Sequence, residues 1–263
     1  MQRDSIQNTF RMAILLCLVC SVMVSATAVG LRSTQQAKKE EFRQQNILKA
    51  AGLWEEGADA KALFNQYITA EVLDFEEGRT TERYEPDAKE LDPKLSTRDS
   101  SMSKPIDGSE ETGDDIASIR VRETYTVVYE VREDGKLKTL ILPIRGYGLW
   151  STLWGFIALD FSDTTADPQS LTVKGLTYYS HAETPGLGGE VDNENWKAKW
   201  QGKRIYDEAG DVLLEVSKSA AGDYQVDALS GATLTSNGVT NMLKYWLGPH
   251  GFGPYIKSTL AGK

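Results

Sequence analysis

Residues 119–144 read Ile-Arg-Val-Arg-Glu-Thr-Tyr-Thr-Val-Val-Tyr-Glu-Val-Arg-Glu-Asp-Gly-Lys-Leu-Lys-Thr-Leu-Ile-Leu-Pro-Ile. Ile119, Val121, Tyr125, Val127, Tyr129 and Val131 fall on alternate positions, opposed by Arg120, Arg122, Thr124, Thr126, Glu130 and Arg132. A period of two predicts a strand that opens at Ile119 with one apolar and one polar face. Asp134-Gly135 marks a tight turn into a second apolar run over 137–144, so the segment predicts a β-hairpin.

Outward from that hairpin, the apolar runs 153–161, 171–179 and 212–216 predict further strands. Residues 194–205 and 239–247 predict helices. In the second, Val239, Met242, Leu243, Trp246 and Leu247 fall at i, i+3, i+4, i+7 and i+8. Thr235 or Ser236 is its expected N-cap, and Gly248-Pro249 its stop. The Lys/Glu/Gln/Ala-rich stretch 35–51 predicts a helix ended by Gly52. A second helix is expected over 60–72, with Leu63, Phe64, Tyr67 and Ile68 on one face. Residues 81–117 carry acidic clusters, Pro86, Pro93 and Pro105 and few large apolar side chains, and read as a solvated, irregular insertion. The fold class is α+β: a twisted, mainly antiparallel sheet with flanking helices. No internal repeat is visible.

The chain of 263 residues has 38 acidic and 29 basic side chains, a net charge of −9. No basic stretch is interleaved with aromatics, which argues against nucleic acid as a partner, because phosphate neutralisation needs clustered Lys and Arg. Residues 12–31 contain no charge and match a bilayer core in helical form, predicting a single membrane-spanning helix in contact with lipid. A cleaved signal peptide competes with that reading, since Ala26-Thr27-Ala28 looks like a signal-peptidase site. The apolar run continues through Val29 and Leu31, which favours the retained anchor. Lipoprotein anchoring is disfavoured by the large Leu16 and Val19 before Cys17 and Cys20. Arg3 and Arg11 precede the span, whereas Arg32, Lys38, Lys39 and Arg43 follow it, so the positive-inside rule puts the large domain in the cytoplasm. Cys17 and Cys20, the only cysteines, share a helix face as small apolar fillers, and the remainder of the chain has no disulfide to staple it.

Metal chemistry has little support: the two histidines, His181 and His250, belong to no cluster at ligand spacing. No serine occupies a Gly-x-Ser-x-Gly elbow. The Tyr147–Trp150 and Trp196–Trp200 aromatics read first as packing. The stretch with chemistry in it is Asp227-Ala228-Leu229-Ser230-Gly231-Ala232-Thr233-Leu234-Thr235-Ser236, a small, hydroxyl-rich loop feeding a helix N-terminus. Free N–H groups and the positive dipole end favour a phosphate there. The alternative is an ordinary Ser/Gly turn. A second candidate is the glycine-rich loop 183–189, in which Pro185-Gly186 predicts a type II turn.

The stretch 227–233 resembles the flavinylation pattern Asp-x-x-Ser/Thr-Gly-Ala-Thr, in which a flavin transferase esterifies the last threonine with FMN. The segments Gly146-Tyr147-Gly148-Leu149-Trp150-Ser151, His181-Ala182-Glu183-Thr184-Pro185-Gly186-Leu187-Gly188-Gly189, Gly248-Pro249-His250-Gly251-Phe252-Gly253-Pro254 and Asn46-Ile47-Leu48-Lys49-Ala50-Ala51-Gly52-Leu53 keep it company. With the N-terminal span they resemble, in order and over nearly the whole chain, the C subunits of sodium-translocating NADH:quinone oxidoreductases. The resemblance implies one covalent FMN per chain on Thr233, next to Ser230, Gly231, Ala232 and Asp227. Thr184 and Leu187 would lie against the isoalloxazine edge, Glu183 would shape the site, and Leu149, Trp150 and Ser151 would border it. No catalytic side chain and no metal ligand is implied.

The implied function is electron relay toward quinone through the flavin of the large membrane-embedded B subunit, with the other membrane and peripheral subunits as partners and a flavin transferase acting during maturation. A single membrane helix offers no path for sodium, so ion translocation falls to those partners. The implied location is the bacterial inner membrane with the soluble domain on the periplasmic side, against the charge rule. The implied organisation is an N-terminal flank (1–11), a transmembrane helix (12–31), a helical region with the acidic insertion (32–117) and an FMN-binding domain (118–263). Two rivals share these motifs: the G subunit of an Rnf-type electron-transport complex, usually shorter, and a stand-alone exported flavin-binding module.

Overall fold

Asp134 and Gly135 both adopt positive φ, 50° and 75°, the mirror-image turn that matches strand twist in a two-residue hairpin. They join strand β5 (Tyr125–Glu133) to β6 (Lys136–Tyr147). This computed structural model describes residues 5–82 and 91–262; Arg3 and Pro86 lie outside the described residues. The chain divides into two compact units, 1–43 and 44–263.

Helix α1 (Ile6–Ala50) runs without interruption through the apolar stretch and on through the charged one. At 1.5 Å per residue its 45 residues measure about 68 Å. It is long and apolar enough to cross a membrane. Gly52, at φ 71°, ends the turn that follows it.

Within the second unit, α2 (Ala60–Tyr67) starts on Asp59, whose carboxylate accepts from the N–H groups of Lys61 and Ala62. Strand β1 (Thr69–Asp74) follows at once and pairs antiparallel with β5 along its whole length. The helix expected over 60–72 is therefore too long by five residues: the last helical N–H bond is Ile68 to Phe64, after which β-branched Thr69 and Val72 enter the sheet. Strand β2 (Arg79–Thr80), β1, β5, β6, β7 (Thr152–Asp160) and β8 (Thr172–Ser180) form one antiparallel sheet in the order β2-β1-β5-β6-β7-β8. The predicted antiparallel sheet is present.

The predicted polar face of the hairpin is solvated only toward its turn, where Arg132 is exposed. Thr126 and Glu130 are buried, as is Arg122. The reason is that both faces of the sheet are covered. On one side Val128, Leu140, Leu142, Ile157 and Leu176 pack with helix α5 (Thr233–Leu247) and α6 (Gly253–Ala261). On the other, Val127, Tyr129, Ile141, Phe156 and Ala158 pack with Phe64 of α2 and with Ile47 and Leu48 in the last turn of α1. Glu130 meets this burial by accepting from Arg132 at 2.7 Å and from the Tyr255 hydroxyl at 3.3 Å.

Ile119 and Arg120 are not strand residues. Ser118 and Arg120 have positive φ, 52° and 67°, and the Asp115 carboxylate accepts from the N–H groups of Ile119 and Arg120, both at 2.8 Å. The strand starts at β4 (Val121–Glu123), which pairs with β3 (Ser103–Pro105). The stretch 81–117 thus has structure the composition hid: α3 (Pro93–Ser96), β3, and the buried Leu91, Thr112 and Ala117. The helix predicted over 194–205 shrinks to α4 (Glu194–Ala198), because Gly202 turns the chain at φ 76° while Trp200 and Ile205 fill the core. The run 212–216 yields β9 (Glu215–Ser217), paired parallel with β10 (Gln225–Asp227).

Candidate flavin site

Three segments distant in sequence meet at one carboxylate. The β6–β7 connection is the four-residue loop Gly148-Leu149-Trp150-Ser151, closed by the Tyr147–Thr152 pair and by the Gly148 N–H on the Ser151 carbonyl at 2.8 Å. Beyond β8, Thr184-Pro185-Gly186-Leu187 turns with Gly186 at φ 76° and the Leu187 N–H on the Thr184 carbonyl at 3.1 Å. This is the hydrogen bond and glycine position of the predicted type II turn. Glu183 stands just before it, 5% exposed. Its carboxylate accepts from the N–H of Leu149 (3.2 Å), Trp150 (2.9 Å) and Ser151 (3.2 Å), and from the Thr235 hydroxyl of α5 at 2.7 Å.

The approach is close enough to require glycine on two sides. A Cβ at Gly148 would stand 2.6 Å from Glu183 Oε1, and one at Gly188 2.6 Å from Thr235 Oγ1. Burial alone raises the carboxyl pKa, but the bonds from Trp150, Thr235, Leu149 and Ser151 outweigh it, so Glu183 stays ionised below the usual carboxylate range.

Helix α5 begins three to four residues earlier than expected, and neither predicted cap serves. Thr235 is fully buried on Glu183, and the Ser236 hydroxyl accepts from the Leu229 N–H at 3.1 Å. Ala232 occupies the N-cap position with no side-chain bond to the helix. The first N–H groups of a helix lack intrahelical acceptors, and the N-cap side chain supplies none here. Thr233 is the first helical residue and is exposed. The turn before it uses Gly231 at φ 69°, with Leu187 against it.

Of the other predicted residues, Ser230 and Thr184 are exposed and Ala232 is buried. Asp227 closes β10 on the surface, its carboxylate 2.7 Å from Lys199 Nζ, which lowers its pKa, and its carbonyl accepts from Trp196 Nε1 at 2.8 Å. Trp196 and Trp200 are core, as expected, with rings edge to face at 5.3 Å. Trp150 is 65% exposed, Leu187 44% and Leu149 40%. Large apolar side chains thus stand in solvent around an exposed threonine hydroxyl and an uncapped helix start. Those features suit a phosphate linked to a flat apolar ring. Sequence reasoning misses the part played by Thr235, whose partner lies 52 residues away. It also misses the His181 Nε2–Asp192 pair at 2.8 Å, behind the same turn.

A family model, the FMN-binding domain, matches residues 148–248, spanning all three segments. The class is therefore an FMN-binding domain on a chain with a membrane-spanning N-terminal helix. The chain is 45% identical to the C subunit of the Na(+)-translocating NADH-quinone reductase of Pseudomonas aeruginosa, covering 99% of this chain and 98% of the relative. It is 41% identical to that of Yersinia pestis, covering 98% and 95%. The crystal structure of Shewanella oneidensis NqrC superposes with a TM-score of 0.73 at 29% identity, covering 86% of this chain and 99% of that one. The chain belongs to the family of Na(+)-translocating NADH-quinone reductase C subunits. The Rnf-type and stand-alone alternatives give way to it, since the match runs the full length of the relatives.

Proposed function

We propose that this membrane-anchored subunit carries electrons through one FMN held covalently on Thr233 by a phosphoester, as part of a sodium-translocating NADH:quinone reductase complex. The observation that carries the attachment is the contrast between the two threonines of the motif. Thr233 is exposed at an uncapped helix start, whereas Thr235 is sealed in and bonded to Glu183. A transferase reaches the first and not the second. When bound, FMN supplies reversible electron uptake, and the chain supplies place and surroundings. The first N–H groups of α5 offset the phosphoester charge. Leu187, Leu149 and Trp150 limit water at the ring, Thr184 borders its edge, Ser230, Gly231 and Ala232 keep the approach to Thr233 open, and Asp227 begins the stretch the transferase reads. Residues 118–263 form the flavin-binding part, with 1–11, 12–31 and 32–117 as flank, span and intervening region. The B subunit of the complex is the electron acceptor.

Thr233→Val keeps the side-chain shape and removes the hydroxyl. It should leave the fold intact, abolish in-gel flavin fluorescence, and remove the flavin mass from the tryptic peptide 219–244. Covalent flavin surviving in that variant would move the bond elsewhere.

The domain faces the periplasm, where the flavin transferase works. The four basic residues after the span oppose that orientation, but long domains translocate despite modest charge bias. A C-terminal alkaline phosphatase fusion should be active; an inactive fusion in a stably expressed protein would put the domain in the cytoplasm.

A further inference from the structure

The four donors on the Glu183 carboxylate carry no formal charge. It is held by three successive N–H groups of one loop and by one hydroxyl from a different element. That hydroxyl belongs to Thr235, two residues along α5 from Thr233. Gly148 and Gly188 press on the carboxylate from either side, so it has no room to change partner. We infer that Thr235 is a positioning residue: through Glu183 it locks the Leu149–Trp150 loop to the start of the helix that bears the flavin. The inference rests on Thr233 as the attachment site and extends it to how the ring is held.

The logic is one of shared acceptors. An ionised carboxylate is acceptor-only and takes bonds from both sides at once. Each donor it binds fixes the place of the others, so loop and helix start become one rigid piece. Without the Thr235 hydroxyl, Glu183 still follows the loop, and what remains between loop and α5 is the backbone contact of Gly238 with Tyr147 and Gly148 at the loop's base, which leaves Leu149 and Trp150 untied. Leu149 and Trp150 are already largely exposed, so the loop has little apolar packing to hold it in place of the lost bond.

Thr235→Val removes the donor and keeps the volume. Losing a hydrogen bond to a charged group should raise the open population of the loop about tenfold. In the flavinylated protein the attached ring should then show faster anisotropy decay and several-fold greater quenching by iodide, with covalent flavin still present in denaturing gels. Thr235→Ser restores the hydroxyl and should return both signals to wild type. A merely structural residue would lower stability without moving ring mobility, and unchanged anisotropy and quenching in a folded Thr235→Val would overturn the inference. Should Thr235→Val not fold, Glu183→Gln serves instead. Its amide turns a donor toward the loop N–H groups or toward Thr235, and the same two signals should move. Their constancy in Glu183→Gln would equally overturn the clamp. Covalent flavin absent from Thr235→Val and present in Thr233→Val would put the bond on Thr235, overturning the attachment reading and the clamp together. Absence in both variants leaves Thr233 standing and overturns only the clamp, since Thr235 would then be needed for attachment itself.

Discussion

Two buried carboxylates divide this domain into a part that is electrically closed and a part that is not. Glu123, 2% exposed, meets Arg145, 4% exposed, whose Nη1 donates to both carboxylate oxygens at 2.5 Å. The guanidinium is also satisfied by the Val121 carbonyl at 2.7 Å and lies between the Trp154 and Trp246 rings, at 5.3 and 5.0 Å. Charge is cancelled locally there. Glu183 is also buried, but among the described residues its carboxylate is bonded by neutral donors, and the adjacent His181, whose pKa it helps to raise, is itself bonded to Asp192, so a negative charge remains beneath the exposed apolar side chains. The first arrangement holds a fold; the second leaves a field at the surface of the candidate flavin site.

The sharpest way to break this contrast is to remove one half of the neutral pair. Arg145→Met strands a buried carboxylate and should cost about 3–5 kcal/mol, read as a lowered urea midpoint. Adding Glu123→Leu should restore much of the loss, because the pair costs its own desolvation. No restoration would mean that the pair contributes more than charge cancellation.

A smaller effect is expected at Glu183. Its folded pKa is depressed, so its contribution is present above the unfolded value of 4.5 and is lost as pH falls through the folded one. The stability gap between wild type and Glu183→Gln should therefore close below about pH 4.5, followed by chemical denaturation at several pH values. A gap constant down to strongly acid pH would show that the ionised form is not what the loop requires.

Least of all should follow from Lys199→Ala. Its ion pair with Asp227 is exposed on both sides, and such pairs contribute little. A clear fall in melting temperature would show that this surface pair is coupled to the core through Trp196.

What the sequence discloses and what it hides follow from the range of the interactions. Asp134-Gly135 is legible because a two-residue turn is decided by its own φ angles. Thr233 stands out as a candidate because the pattern that points to it is a short contiguous stretch, 227–233. Thr235 reads as a cap because a hydroxyl near a helix start has a local partner available; a carboxylate 52 residues earlier takes it instead. The donors on Glu183 are mostly backbone N–H groups, which nearly every residue has, so no side-chain pattern announces them. Gly148 and Gly188 are the one trace, two glycines needed for room. The polar positions of 119–132 look solvated because alternation reports only that two faces differ; α5 and α6 later in the chain cover the second face.

The last turn of α1 has a practical consequence for anyone handling this protein. Ile47, Leu48, Ala50 and Ala51 are completely enclosed in the second core, and the Asn46 carbonyl accepts from the Thr177 hydroxyl at 3.0 Å. The end of the membrane-spanning stretch and the start of the folded body are therefore different places in the chain. A protease that nicks near Leu31 leaves the body whole. One that nicks after Ala51 takes away Ile47 and Leu48, each of which would cost about 2–5 kcal/mol if merely truncated to alanine. A water-soluble fragment meant for flavin loading thus has to begin no later than Gln44, and one begun at Leu53 would be recovered as an aggregate.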